Sequence, residues 1–258
     1  MTQPSHNRND KNGLSGCEPW GFWTTTVYGL AAIVAWFVAQ MLTAVAAFAV
    51  IEAGTATLDL KGDSPVSHAL TIAVVTIASM PAPIAIMAFA ARHAGCSPRN
   101  YLALHWPRRA DLIVGFVIVA ILLPLGDLSS WMSGRDLVPP AVVDAYRTAR
   151  SSGTLILLAI ALIVAAPLME ELLFRGFLFP GFAKSRPGPW GAIVVTSAGW
   201  AAMHVQYETF YIVQIFVLGC VLGWLRWSSG STLLTIILHA TVNTAALIQV
   251  AVLVEWAR

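Results

Sequence analysis

Seven stretches of this chain, near residues 24–51, 70–91, 112–126, 154–180, 189–205, 209–227 and 231–254, are apolar over lengths close to a bilayer crossing. A spanning helix needs about 20 such residues for roughly 30 Å of hydrocarbon. No other feature limits the fold as much, because a backbone in lipid must satisfy its own hydrogen bonds, as a helix or a closed barrel. A barrel would show alternating segments of ~10 residues, and none occur. We therefore expect an all-α, polytopic membrane helix bundle of about seven transmembrane helices, with 112–126 the shortest. The 258 residues are 57% hydrophobic and 11% charged, against roughly 25% charged in soluble domains. The spans leave no room for a second soluble domain. The net charge of +2 comes with no basic face, so no nucleic-acid partner is expected.

The chain divides into a polar tail over 1–19, expected to be disordered, membrane helices and loops over 20–153, and a last block over 154–258. The tail has no signal-peptide core. Leu14-Ser15-Gly16-Cys17 looks like a lipobox but follows polar residues instead of an apolar stretch. Cys17, Cys96 and Cys220 are far apart and odd in number, which supports neither a disulfide framework nor a thiolate metal site. Pro81 and Pro83 should kink the second span, and Pro167 should bend the fourth. Trp20, Trp23, Trp106, Trp190, Trp227 and Trp256 fall near span ends, where aromatic residues sit at the membrane interface.

Basic residues concentrate in alternate loops: Arg92, Arg99, Arg108 and Arg109, then Lys184 and Arg186, then Arg226. The intervening loops carry Glu52, Asp59, Asp63, Asp127, Asp136, Asp144 and Glu208, with Lys61, Arg135, Arg147 and Arg150 against them. The positive-inside rule then places the amino terminus in the cytoplasm and the carboxyl terminus outside. The 127–152 segment is long and partly apolar; an interfacial helix, a lid over a substrate entrance and a plain loop all stay open.

The fourth span contains charges that lipid does not tolerate. It reads Ala165-Ala166-Pro167-Leu168-Met169-Glu170-Glu171-Leu172-Leu173-Phe174-Arg175-Gly176. Each charge costs at least ~2.5–3.5 kcal/mol at mid-span, so such residues face a bundle interior or a wet cavity. Glu171 and Arg175 are spaced i,i+4 in the favourable acid-first order and should pair. Glu170 is turned about 100° away and need not share that arginine, which suits a general base. Trp200 and His204 on the fifth span, and His239 and Asn243 on the seventh, are also i,i+4 pairs sharing one helical face. Counted from the turn at Arg186, Glu170 lies 16 residues back and His204 18 residues on, both roughly 24–27 Å deep at 1.5 Å per residue. His239 lies only some 15 Å from the turn at Gly230 on the same count, a mismatch that leaves the open face of the site unassigned.

These boxes resemble the CAAX-protease and bacteriocin-processing (Abi) family of intramembrane proteases, whose pattern is Glu-Glu-x-x-x-Arg, then Phe-x-x-x-His, then His-x-x-x-Asn. Here they are Glu170-Glu171-Leu172-Leu173-Phe174-Arg175, Trp200 to His204 with tryptophan in place of phenylalanine, and His239 to Asn243. The resemblance covers about 154–254, the last four spans, which would form the catalytic core. It implies an integral protein of a bacterial cell membrane that hydrolyses peptide bonds in a peptide or membrane-associated protein. Glu170 would activate water with help from His204, His239 and Asn243 would stabilise the oxyanion, and Glu171 and Arg175 would support the site. No cofactor is required on this reading. The alternative is zinc held by Glu170, His204 and His239, a possible three-ligand set, although no His-Glu-x-x-His helix is present.

Two other functions fit the same residues. A non-catalytic membrane scaffold or regulator would use the cluster for helix packing. A proton-coupled transporter would use it as a relay, but the halves show no repeat of the kind many transporters have. Trp200 is expected to be a packing residue, Cys220 to sit at a close helix contact beside Gly219 and Gly223, and His68, His93 and His105 to be solvated. Asp111 and Asp127 should anchor the third span at the interfaces.

Overall fold

The computed structural model describes the backbone of residues 17–58 and 65–256 and the side chains of 17–50 and 71–256. Residues 1–16 of the expected tail, and the side chain of His68, lie outside the described residues. The architecture is all-helical: α1 Phe22–Leu58, α2 Pro65–Ala78, α3 Pro81–His93, α4 Pro98–Tyr101, α5 Arg109–Met132, α6 Pro140–Ser151, α7 Leu155–Ile160, α8 Ala166–Glu171, α9 Phe179–Ala183, α10 Gly188–Ala202, α11 Thr209–Ser229 and α12 Thr232–Trp256. Among the described residues six segments are long and apolar enough to cross a membrane: Phe22–Val50, Thr71–His93, Arg109–Met132, Leu155–Ala183, Thr209–Ser229 and Thr232–Trp256. Large apolar side chains such as Leu30, Val34, Phe37 and Met41 on α1 point outward, which water would penalise and lipid does not.

Two expected spans change length. The third, expected over 112–126, is the 24-residue α5. Asp111 fastens its start by accepting from the backbone N–H and the guanidinium of Arg108. Polar residues at its far end stay helical because Gln214 of α11 donates to Gly126 O and Ser129 Oγ. The fifth, expected over 189–205, is the 15-residue α10, about 22 Å long and short of a full crossing. At its end Trp200 O accepts from both Met203 N–H at 3.1 Å and His204 Nδ1 at 2.9 Å, so a side-chain donor joins the backbone in closing the last turn.

The prolines act as their chemistry requires. The second span breaks between α2 and α3 at Ser79–Met80, just before Pro81. The fourth is a composite: α7, a π-helical segment Ala161–Ala165, α8, a second π-helical segment Leu172–Leu178, then α9. The 127–152 segment resolves as the end of α5, a loop and the amphipathic α6. Its Tyr146 and Ala149 are buried, Tyr146 clusters with Val250 of α12, and Arg150 forms an ion pair with Glu255.

The short connections gather at two ends of the bundle. At one, Thr232 N donates to Ala103 O and Ser231 Oγ to His105 O. Phe22 N donates to Ser185 Oγ at the same end. At the other, Arg135 pairs with Glu208 and Tyr211 donates to Asp136 O. One sequence expectation fails at the first end: Cys17 and Cys96 form a disulfide. Spacing along the chain hid it, because the two cysteines are 79 residues apart and meet only once Trp20 Nε1 donates to Ala90 O and docks the start of the chain on α3. Residues 17–20 are thereby held against the bundle.

Candidate active site

The site is built on the junction between α8 and the second π segment. Glu171 and Arg175 are both fully buried and pair at 2.9 Å through Oε1 and Nη1. Arg175 Nη2 donates to Gly219 O of α11 at 3.0 Å. His239 Nδ1 of α12 lies 3.0 Å from the same Glu171 Oε1. The Glu171–Arg175 pair therefore joins the fourth span to α11 and α12, in an environment where an unpaired charge would cost several kcal/mol. Glycine is required at 219: a Cβ there would meet Ser197 Cβ at 2.9 Å and Trp200 Cε3 at 3.1 Å. The small residues expected at a close helix contact thus bring α11 against α10 at the site.

Glu170 is handled differently. Its Oε2 accepts from Trp200 Nε1 at 2.5 Å and lies 4.0 Å from His239 Nε2. Its Oε1 has no partner among the described residues. Trp200, expected to be packing alone, is thus a polar member of the site. Its ring also lies 4.7 Å below the Arg175 guanidinium carbon and edge-on to His239 at 5.1 Å. The signal was present in the sequence: tryptophan, unlike the phenylalanine of the resembled pattern, carries an N–H donor.

The expected depth mismatch of His239 does not occur, since it touches both glutamates. The count treated the Arg186 and Gly230 turns as level; the π segment Leu172–Leu178 between Glu170 and Arg186, with its extra residue per turn, shortens that path by only about 1.5–3 Å. His204 is at the edge of the group. It lies in the turn after α10, stacks on Tyr207 at 5.9 Å, and makes no ion pair with either glutamate among the described residues. The group therefore approaches the end of the bundle that carries the 203–208 turn and α6. Tyr207, in that turn, has its phenol pushed up mainly by burial. Asn243 Nδ2 donates to Leu162 O at 2.7 Å, so one of its donors is committed to the α7–α8 junction. Arg226, counted from sequence as a loop charge, is instead 8% exposed and inside the bundle. His93 is exposed and shares a hydrogen bond with Tyr28.

The proposed zinc set does not fit this placement. Among the described residues no three His, Cys, Asp or Glu side chains gather as a metal group.

Residues 152–245 match the family model described as type II CAAX prenyl endopeptidase Rce1-like. The segment bearing the three boxes is therefore similar to that family of membrane proteases. A curated Escherichia coli protein described as "Uncharacterized 24.3 kDa protein" is 32% identical over 102 residues, covering 38% of this chain and 46% of that protein. The chain thus spans about half the length of the curated relative it matches. No solved structure matches it.

Proposed function

We propose that this chain is an intramembrane endopeptidase that hydrolyses a peptide bond with a water activated by Glu170. The observation that carries the reading is the contrast between neighbouring carboxylates. Glu171 is bound through Oε1 to Arg175 and His239, whereas Glu170 pairs with no arginine or lysine among the described residues, is partly exposed, and has its Oε2 oriented by Trp200. A general base needs a fixed carboxylate that is not consumed by a permanent cation.

In this mechanism Glu170 takes a proton from water as the water oxygen attacks the scissile carbonyl carbon. The C=O π pair moves to oxygen and forms the tetrahedral oxyanion. His204, with its Nδ1–H on Trp200 O, offers Nε2 as an acceptor that helps hold the water. Asn243 retains one N–H for the oxyanion after bonding Leu162 O. His239, with Nδ1–H on Glu171, donates from Nε2 when doubly protonated. Donors aimed at developing charge act most strongly where bulk water is excluded. As the C–N bond breaks, Glu170 returns its proton to the departing amine. The substrate class we favour is a small secreted peptide or a membrane-associated protein, with peptide processing or self-immunity as the cellular role.

The test compares wild type, Glu170→Ala and Glu170→Gln in proteoliposomes with membrane-anchored peptides, alongside proteomics of cells carrying each form. Both substitutions should abolish cleavage and leave the amount of folded protein nearly unchanged, with one uncleaved precursor accumulating. Retained cleavage in Glu170→Ala removes Glu170 as the base. A second reading, a scaffold, is favoured by the fully buried Glu171–Arg175 pair joining helices; it predicts that Glu170→Gln is functionally silent.

A further inference from the structure

The two π segments share a construction. In the first, Ala166 N–H bonds Ala161 O, five residues back. The next residue, Pro167, has no N–H, so Leu162 O loses its donor within the helix. Asn243 of α12 supplies it. In the second, Phe179 N–H bonds Phe174 O, and the next residue, Pro180, again has no N–H. Arg175 O is left free in the same way. Arg226 of α11 supplies the donor: its Nε lies 3.1 Å from Arg175 O and 3.0 Å from Thr232 Oγ1.

Arg226 has no carboxylate partner among the described residues, and its guanidinium lies 5.7 Å from the Phe179 ring centre. A buried cation without a counter-ion is costly in a bilayer. Its bond is to the backbone of Arg175, whose side chain pairs with Glu171, and Glu171 in turn holds His239. We propose that Arg226 is a positioning residue: by capping the carbonyl that Pro180 orphans, it holds the second π segment in register and so aligns Arg175, Glu171 and His239. It acts through Arg175 and touches no substrate. The cleavage readout rests on the endopeptidase reading, and the unfolding readout does not.

The test is a double-mutant cycle in nanodiscs with Arg226→Met, Pro180→Ala and both together. Alanine at 180 restores an N–H where π bonding requires one, so Arg175 O regains a donor within its own helix. Arg226→Met should lower the unfolding midpoint and reduce kcat about tenfold or more, the effect of a lost hydrogen bond to a charged donor, with KM moved less than twofold. Adding Pro180→Ala should recover most of both losses. Arg226→Gln, which keeps a neutral donor, should also stay near wild type and covers the case in which the methionine variant fails to fold. If the double variant is as impaired as Arg226→Met, or if glutamine is no better than methionine, carbonyl capping is not the role of Arg226 and the proposal is overturned. If wild type cleaves nothing, the endopeptidase reading falls, while the unfolding midpoints still decide the capping.

Discussion

Trp200 donates its indole N–H to Glu170 Oε2 across 2.5 Å while its ring underlies the Arg175 guanidinium. One side chain thus touches both halves of the charged box, orienting the free carboxylate and covering the paired one. Trp200→Phe separates the two jobs, since phenylalanine keeps the ring and loses the donor. A hydrogen bond to a charged group contributes about 1.5–3 kcal/mol, so kcat should fall roughly 10- to 100-fold with KM little changed. Unfolding in detergent should shift far less than for a substitution that removes the ring. Steady-state kinetics beside a melting curve reads both, and a variant with wild-type kcat would show that the indole N–H does not hold the base.

The adjacent carboxylate should behave in the opposite way. Glu171 and Arg175 are both fully buried, and removing one partner leaves the other charge unpaired at a cost of about 3–5 kcal/mol. Arg175→Met should therefore be a stability variant, with most protein lost from the membrane fraction. Arg175→Met with Glu171→Gln should recover part of that loss, because no net charge is then stranded. Glu170→Gln, at a carboxylate with 14% of its side chain exposed, should melt close to wild type. Comparing folded yield and melting midpoint across the three variants tests the division of labour between the two glutamates.

The sequence carried the parts of this arrangement that follow from periodicity and local spacing. Apolar runs of spanning length gave the helices, Pro81 gave the break in the second span, and the i,i+4 spacing of Glu171 and Arg175 gave their pair. The π segments were not legible, because one extra residue per turn barely disturbs a hydrophobic pattern. Their trace was Pro167 and Pro180, whose missing N–H groups have consequences only once a partner helix is in place. Trp200 and Arg226 were assigned a packing role and a loop role for the same reason. Which donor reaches which carboxylate or carbonyl depends on the approach of α10 and α11, and nothing local encodes that. The Cys17–Cys96 contact likewise exists only after the first residues dock on α3.

A position far from the charged groups tests the packing alone. Gly181 of α9 faces α1, and a Cβ there would sit 2.7 Å from Thr25 Cβ and 2.8 Å from Thr25 Cγ2. Thr25 does not swing away freely, since its hydroxyl donates to Trp20 O at 3.1 Å. Gly181→Ala should cost about 1–3 kcal/mol, as overpacking of a filled contact does. Cleavage per folded molecule should stay at the wild-type level. A melting midpoint equal to wild type would mean that α1 and α9 are less tightly apposed than this structure has them.

The end of the bundle that holds the disulfide also holds Arg92, Arg99, Arg108, Lys184 and Arg186, and these two features point to opposite compartments. Short basic loops stay in the cytoplasm, where thiols are kept reduced. Five arginines and lysines in short loops set orientation more firmly than one pair of cysteines. We therefore expect free thiols at Cys17 and Cys96 in growing cells and the bridge on oxidation. The docked segment does not depend on it, because Trp20 Nε1 donates to Ala90 O and Phe22 N to Ser185 Oγ. Cys17→Ser should accordingly leave the reduced protein's melting midpoint unchanged. Oxidised wild type should gain up to about 4 kcal/mol from closing a loop of this length. Alkylation of intact cells followed by mass spectrometry of the 17–96 peptides decides the orientation. A bridge already formed without added oxidant would place this end in an oxidising compartment and turn the His204 end, with α6 over it, toward the cytoplasm.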